Sequence, residues 1–145
     1  MSAGPHDTTK PGVGGVLFRV AGELCFLPAS IAMRVMPLPE MAAVPGGPPE
    51  LRGVALVGGH MIPVVDAVEE PLERLERSAA NPGEHAMLVC AVLGETLGLV
   101  GIDVVATGRF EPGESAGEVK LGDETARTFD VAALVARIRE GRWAV

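Results

Sequence analysis

LRGVALVGGHMIPVVD, residues 51–66, has the pattern of two strands joined by a tight turn. Its two arms, Leu51 to Val57 and His60 to Val65, are rich in β-branched and other apolar residues. Gly58-Gly59 between them can adopt the positive φ angles that a two-residue hairpin turn requires. Pro63 lacks a backbone N–H, so we expect it at an edge or bulge of the returning strand. The stretch therefore predicts a β-hairpin.

An earlier hairpin is predicted upstream of this one. Apolar residues alternate through residues 16–20, Ala21-Gly22-Glu23 supplies a turn, and an apolar run returns through residues 24–27. Pro28 ends that strand, and residues 29–33 are expected to form a single helical turn.

The second half of the chain repeats this order of elements. Residues 87–93, the Gly94-Glu95 pair and residues 96–99 again read as strand, turn and strand. We therefore expect two small β-units, one in each half, with Asn81-Pro82-Gly83 as the hinge between them.

Two aspartates are predicted to cap helices. Asp66 precedes a short helix, within which the charged run of residues 69–77 is either an interaction helix or, as we favour, a solvated face. Asp130 caps an amphipathic helix over residues 131–140, and Gly141 is expected to end it.

Composition predicts one domain in 145 residues, with a mobile arm over residues 1–14 and a folded domain over residues 15–145. A net charge of −7 and 3% aromatic residues argue against nucleic-acid binding. The longest apolar run, residues 86–93, is too short to span a membrane, and the start of the chain has no secretory pattern. We therefore expect a cytoplasmic protein, with Cys25 and Cys90 buried and reduced.

No residue pattern indicates a catalytic or metal centre. His6, His60 and His85 have no partner at a metal-ligand spacing, and no C-x-x-C pair occurs. The carboxylates best suited to buried or cleft positions are Asp66, Asp103 and Asp130, for which capping and turn hydrogen bonds are the usual role. The residues thus predict a binding module without cofactor or metal, and not an enzyme.

A family resemblance lies in the order and spacing of three motifs. FRVAGELCFLP, from Phe18 to Pro28, resembles the opening hairpin of the CheW family. Pro45-Gly46-Gly47-Pro48 with the strand pair of residues 51–66 is similar to the central loop and hairpin of that family. Gly98-Leu99-Val100 and the Phe129-Asp130 helix start resemble its later elements.

The resemblance implies a mainly β fold of two intertwined SH3-like barrels with short helices and a C-terminal helix. It also implies an adaptor that links the cytoplasmic tip of chemoreceptors to the regulatory domain of a CheA-type histidine kinase. Candidate protein-binding residues are Ala32, Arg34, Val35, Val54, Gly58 and His60. Residues expected to serve turns and caps are Pro28, Gly53, Gly59, Pro63, Asp66 and Asp130.

Four departures from the family pattern stand out. The aspartate that the family has after the Gly-Leu strand falls on Ile102, with Asp103 one position late. Gly58-Gly59 replaces the usual Arg-Gly, and Arg34 stands where a glutamate is usual. The stretch of residues 111–121 is shorter than in the family, so the second barrel is expected to lack a strand or keep only a stub.

The two charge changes predict a divergent accessory coupler with reduced or partial partner binding. It would be similar to the second, divergent CheW-like protein of Frz-type motility pathways. The alternative is a small-molecule-binding or catalytic β-barrel in which Asp66 and Asp103 line a pocket.

Overall fold

The computed structural model describes the backbone of residues 12–68 and 86–143, with side chains as far as residue 139. Ten strands and one helix lie within these ranges. They are β1 (Val13–Val20), β2 (Glu23–Pro28), β3 (Ala32–Pro37), β4 (Leu51–Val57), β5 (His60–Asp66), β6 (Ala86–Val92), β7 (Glu95–Val100), β8 (Asp103–Pro112), β9 (Glu118–Leu121), β10 (Glu124–Thr128) and α1 (Val131–Trp143).

The strands form a closed barrel, in the order β1-β2-β10-β9-β8, and a five-stranded sheet, in the order β3-β6-β7-β5-β4. The mainly β fold with two five-stranded units is thus confirmed. The expectation of one unit in each half is wrong, because β1 pairs with β8 and β2 pairs with β10. The two ends of the chain build the barrel, and its middle builds the sheet.

The β1–β2, β4–β5 and β6–β7 hairpin turns share one geometry. Ala21-Gly22, Gly58-Gly59 and Leu93-Gly94 each have two consecutive positive φ angles, between 50° and 87°. Such turns match the twist of the strands they join, as in type I′ hairpins. The three sequence-predicted hairpins, β1–β2, β4–β5 and β6–β7, are therefore confirmed.

The helical turn expected over residues 29–33 is wrong. The chain reverses in a tight turn in which the amide of Ile31 donates to the carbonyl of Pro28 at 2.9 Å. From Ala32 it continues as β3, which pairs antiparallel with β6. Pro28 does end its strand as predicted, and the edge of β6 supplies the backbone hydrogen bonds that favour β3 over a helix.

The stretch of residues 111–121 does not lack a strand. β9 is only four residues long, but it pairs with both β8 and β10. This pairing closes a complete five-stranded barrel. The expectation of a missing strand is therefore wrong, while the four-residue β9 matches the alternative expectation of a short remnant.

The main core lies where the barrel, the sheet and the helix meet. Phe18 and Leu27 from the barrel pack in one buried cluster with Leu88 and Leu99 from the sheet and Leu134 from α1. Two smaller clusters fill the interior of the sheet and of the barrel. The sheet thus buries apolar side chains on both of its faces, which explains the near-continuous apolar sequence of β6.

Helix α1 begins as predicted and ends later. The side chain of Asp130 accepts a hydrogen bond from the amide of Ala133 at 2.9 Å, so the predicted cap is confirmed. Gly141 does not end the helix, which continues to Trp143. A glycine inside a helix costs about 1 kcal/mol relative to alanine and does not by itself break the hydrogen-bond ladder.

Several predictions concern residues at or beyond the ends of the described ranges. β1 begins at Val13, two residues before the expected start of order at Gly15. Residues 1–11 of the predicted arm, the helix expected after Asp66 and the hinge at residues 81–83 lie outside the described residues.

Candidate protein-interaction surface

The β4–β5 hairpin has one buried face and one open face. Ala55 pairs with Ile62 across the strands, and both are buried in the interior of the sheet. The intervening positions point the other way because side chains alternate along a strand. Leu56 pairs there with Met61, and Val54 pairs with Pro63.

This open face is apolar and carries no charge. The side chains of Leu56 and Met61 are 65% and 61% exposed. No charged residue occurs between Gly53 and Val65, and His60 is the only titratable group in that stretch. An apolar pair exposed on a chain of net charge −7 is typical of a protein-interaction site.

Leu93 is a further exposed apolar residue, at the same end of the sheet as the β4–β5 turn. β5 and β7 run parallel in the register Val64 to Gly98, so the turns that precede them lie at the same end of the sheet. Leu93 in the β6–β7 turn is 70% exposed and holds a φ of 54°, which is costly for a leucine. We call Leu56, Met61, Leu93, Val54 and Pro63 the apolar hairpin surface.

Three other candidate residues lie on β3, where one is buried and two are exposed. Ala32 is buried and paired with Cys90, so its side chain does not reach a partner. Arg34 and Val35 are exposed on β3, and the Arg34 guanidinium lies 3.7 Å from the sulfur of Met36. β3 and β4 are opposite edges of the sheet. The sequence-predicted residues are therefore divided between β3 and the β4–β5 hairpin.

The sheet curls so that its two edges approach each other. Ala42 and Val54 exchange two backbone hydrogen bonds of 2.9 Å, and Ala42 lies only five residues after Pro37 at the end of β3. Five residues span at most about 17 Å, so the β3 edge ends near β4. A Cβ on Gly53 would lie 2.6 Å from the carbonyl oxygen of Ala42, so Gly53 permits this close approach.

The same bridge explains the position of Pro63. Because both backbone groups of Val54 bond to Ala42, the Val54–Pro63 pair makes no hydrogen bond of its own. On the other side, pairing of β5 with β7 begins only at Val64. Pro63 therefore lies where the ladder with β4 requires no N–H from it and before the pairing with β7 begins. It is not at the expected edge, because β5 lies between β7 and β4.

Gly58 is free to accept a side chain. It has a φ of 58° and a built Cβ would meet nothing within 4 Å. Ala21 and Leu93 occupy the same first position of their turns at φ values of 50° and 54°. The fold thus tolerates a side chain in this conformation, while Gly59, at a φ of 84°, takes the second position, which all three turns give to glycine.

Asp66 has a structural role. Its carboxylate is 1% exposed, lies 2.9 Å from Nη1 of Arg52, and accepts a hydrogen bond from the amide of Val68. Asp103, by contrast, is exposed at the start of β8 beside Arg19 of β1. One carboxylate is buried and already paired and the other is exposed, so the alternative of a pocket lined by Asp66 and Asp103 gains no support.

Two clefts open on the barrel. One, of about 480 Å³, lies between the β1–β2 turn and the end of β10, where Glu23 and Arg127 already pair at 3.2 Å. The other, of about 310 Å³, lies beside the β8–β9 connection. Within the described ranges, no three His, Cys, Asp or Glu side chains are grouped to hold a metal ion. In the same ranges no helix is long and apolar enough to cross a membrane.

The sequence alone indicated the hairpin but not its exposed anchors. Leu56 and Met61 stand symmetrically about Gly58-Gly59, so the hairpin register does place them opposite each other. Which face of the hairpin is buried depends on the core beneath it, and the local sequence does not indicate that face. The exposure of Leu93 could not be predicted, because an apolar residue beside a turn is typical of the end of a strand.

Comparison with known proteins agrees with this architecture. The sequence profile of the CheW-like domain matches residues 14–110. Among solved structures, the scaffolding protein TtCheW from Thermoanaerobacter tengcongensis superposes with a TM-score of 0.56 at 18% sequence identity, covering 81% of this chain and 88% of TtCheW. No significant match is found among curated protein sequences.

Proposed function

This chain belongs to the CheW-like domain family, and from that we propose that it is a cytoplasmic, non-enzymatic adaptor in a chemosensory pathway. Its partners would be the cytoplasmic tip of a chemoreceptor and the regulatory domain of a CheA-type histidine kinase. The fold shared with TtCheW supports a scaffold, because that protein is itself described as a scaffolding protein.

The apolar hairpin surface is the observation that carries this proposal. Leu56, Met61 and Leu93 expose apolar area that contributes little to the stability of the isolated chain. Covering these side chains with a partner removes them from water at roughly 25 cal/mol per Å², with no like-charge repulsion at the contact. Recognition by apolar contact suits an adaptor, which has to hold its partners without changing them.

A second surface allows two partners to be held at once. The β3 edge carries Arg34 and Val35 and lies at the opposite edge of the sheet from β4. The end strand of a sheet can extend its pairing to a strand of a partner. Two groups of exposed side chains, on β3 and on the β4–β5 hairpin, would give a receptor and a kinase one contact each on the same sheet.

The charge changes at Arg34 and Gly58 support a partial or accessory coupler. An arginine that makes charge-assisted contacts with a partner is worth about 1.5–3 kcal/mol, which corresponds to a tenfold or larger change in affinity. This chain has no side chain at Gly58 and the opposite charge at Arg34. Reduced affinity for one partner would make it similar to the second CheW-like protein of Frz-type pathways.

Calorimetric titration with the two partners tests the adaptor role. We expect the full chain to bind a purified receptor tip, the kinase regulatory domain, or both. Leu56→Asp should weaken binding of a partner that docks on the apolar hairpin surface by about tenfold or more, since it would bury an unpaired charge. The matched control is Val105→Asp, at an exposed apolar position on the barrel. Absence of binding to both partners would reject the proposal.

Restoring the family charges tests the accessory role. The double variant Gly58→Arg with Arg34→Glu should bind one partner at least about tenfold more tightly than the natural chain. Ala21→Arg is the control, because it adds the same charge at the same turn position of the barrel hairpin. Equal affinities in the natural chain and the double variant would contradict the accessory role while leaving the adaptor role intact.

A further inference from the structure

The sulfur atoms of the described residues differ sharply in accessibility. Cys25 and Cys90 are buried, and desolvation raises the pKa of their thiols to about 11 and about 12. Their reactive thiolate forms are therefore scarce at neutral pH. Met87 is fully buried, whereas Met33 and Met61 are 59% and 61% exposed. Met36 and Met41 are half-buried. The most exposed sulfur-containing side chains in the described ranges are thus those of Met33 and Met61.

Both exposed methionines lie on the surfaces assigned above to partners. Met61 is opposite Leu56 in the apolar hairpin surface. Met33 lies at the irregularity of β3, where the pairing register with β6 shifts between Ala32 and Arg34. A thioether needs no deprotonation to react, so these two side chains are open to oxidants across the physiological pH range.

We propose that Met61 and Met33 are sites of reversible oxidation to methionine sulfoxide, and that the change at Met61 releases the docked partner. The oxidant class is a peroxide or a hypohalous acid. With hydrogen peroxide, the sulfur lone pair attacks one oxygen, the S–O bond forms and the O–O bond breaks. The sulfur loses two electrons, and the peroxide is reduced to water. A thiol-dependent sulfoxide reductase reverses the step by oxidising two thiols to a disulfide.

The structure explains why the change acts on binding and spares the fold. A sulfoxide places a strong hydrogen-bond acceptor beside Leu56, where docking would have to bury it without a donor. At Met87, in the interior of the sheet, the same change would disrupt packing, but that side chain is shielded. Oxidants therefore reach the two exposed methionines, while Met87 in the core is protected from them.

Peroxide treatment of the full chain, followed by peptide mass spectrometry, tests the modification sites. We expect Met33 and Met61 to gain one oxygen at least about tenfold faster than Met87, in keeping with their exposure. Cys25 and Cys90 should stay unmodified over the same interval, and circular dichroism should be unchanged. Equal rates at Met61 and Met87, or faster oxidation of either cysteine, would overturn the assignment.

Binding of the oxidised chain tests the consequence, which rests on the proposed function. After removal of the oxidant, affinity for the kinase regulatory domain or receptor tip should fall by about fivefold or more. Met61→Leu should retain affinity after treatment, and Met33→Leu should not protect. Equal loss in Met61→Leu would reject the role of Met61. If the untreated chain binds neither partner, the proposed function and the release step both fail, while the peptide map still decides the modification sites.

Discussion

Arg52 in β4 reaches Asp66 at the end of β5, with Nη1 2.9 Å from Oδ2 of a carboxylate that is almost fully buried. The other carboxylate oxygen accepts from the amide of Val68, and the amide of Asp66 donates to the carbonyl of Glu50. One side chain thus fixes the start of β4 and the exit from β5.

Replacing Arg52 should be costly. Arg52→Ala leaves the buried carboxylate without its cation, and we expect the free energy of unfolding to fall by about 2 kcal/mol. This lies below the usual cost of breaking a fully buried pair because about a third of the Arg52 side chain is exposed. Urea denaturation measures the change. Arg34→Ala, at an exposed site, is the control, and equal losses would contradict the structural role of the pair.

Gly101 should tolerate no side chain. A Cβ there would lie 2.3 Å from Oδ1 of Asp66, and the φ of 78° is unfavourable for other residues. Gly101→Ala should lower the free energy of unfolding by at least about 2 kcal/mol. Gly22→Ala, at a φ of 87° with open space around it, should cost only about 1 kcal/mol and isolates the backbone contribution. Similar denaturation midpoints for the two variants would contradict the clash.

The buried cysteines should make the fold sensitive to alkali. Burial raises the thiol pKa from an ordinary 9.0 to about 11 for Cys25 and about 12 for Cys90. Above pH 9 the unfolded chain releases these protons while the folded chain keeps them, so stability falls as the pH rises towards 12. Denaturation at pH 8 and pH 10.5 measures the loss, and Cys25→Ala with Cys90→Ala should reduce it. An unchanged pH dependence would contradict the prediction.

Leu93 should reveal a conflict between stability and binding. Asparagine tolerates positive φ better than leucine does, so Leu93→Asn should raise the free energy of unfolding by about 0.5 kcal/mol. The same change removes an apolar anchor, so affinity for a partner docked on the apolar hairpin surface should fall. Denaturation and calorimetry on one preparation measure both effects. A stabilised variant with full affinity would remove Leu93 from the interface.

The hairpins could be predicted because their signals are local. Gly58-Gly59 between two apolar runs specifies a turn and a register, and Asp130 before an amphipathic stretch specifies a helix start. The barrel strands of the second half give no such signal. β8 is mostly exposed, and β10 reads Glu-Thr-Ala-Arg-Thr with only Ala126 buried. Without an apolar alternation, sequence patterns do not identify such strands.

Pairings between distant parts of the chain were beyond sequence reasoning. The repeated strand-turn-strand order suggested two separate halves, but the partners of β1 and β2 are β8 and β10. The Arg52–Asp66 pair depends on an irregularity in the β4–β5 register between Leu51 and Gly53, which no pattern announces. The relative position of Arg34 and Gly58 could not be predicted either, because only the strand order puts β3 and β4 at the two ends of the sheet.

The interleaved strand order determines which parts of this protein can fold first during synthesis on the ribosome. The sheet has all five of its strands once Val100 has emerged, whereas the barrel at that moment holds only β1 and β2. Until β8, β9 and β10 are made, the open edges of this hairpin are exposed to pairing with neighbouring nascent chains. The hairpin that is synthesised first therefore completes its strand pairing among the last, when the C-terminal strands are added to the barrel.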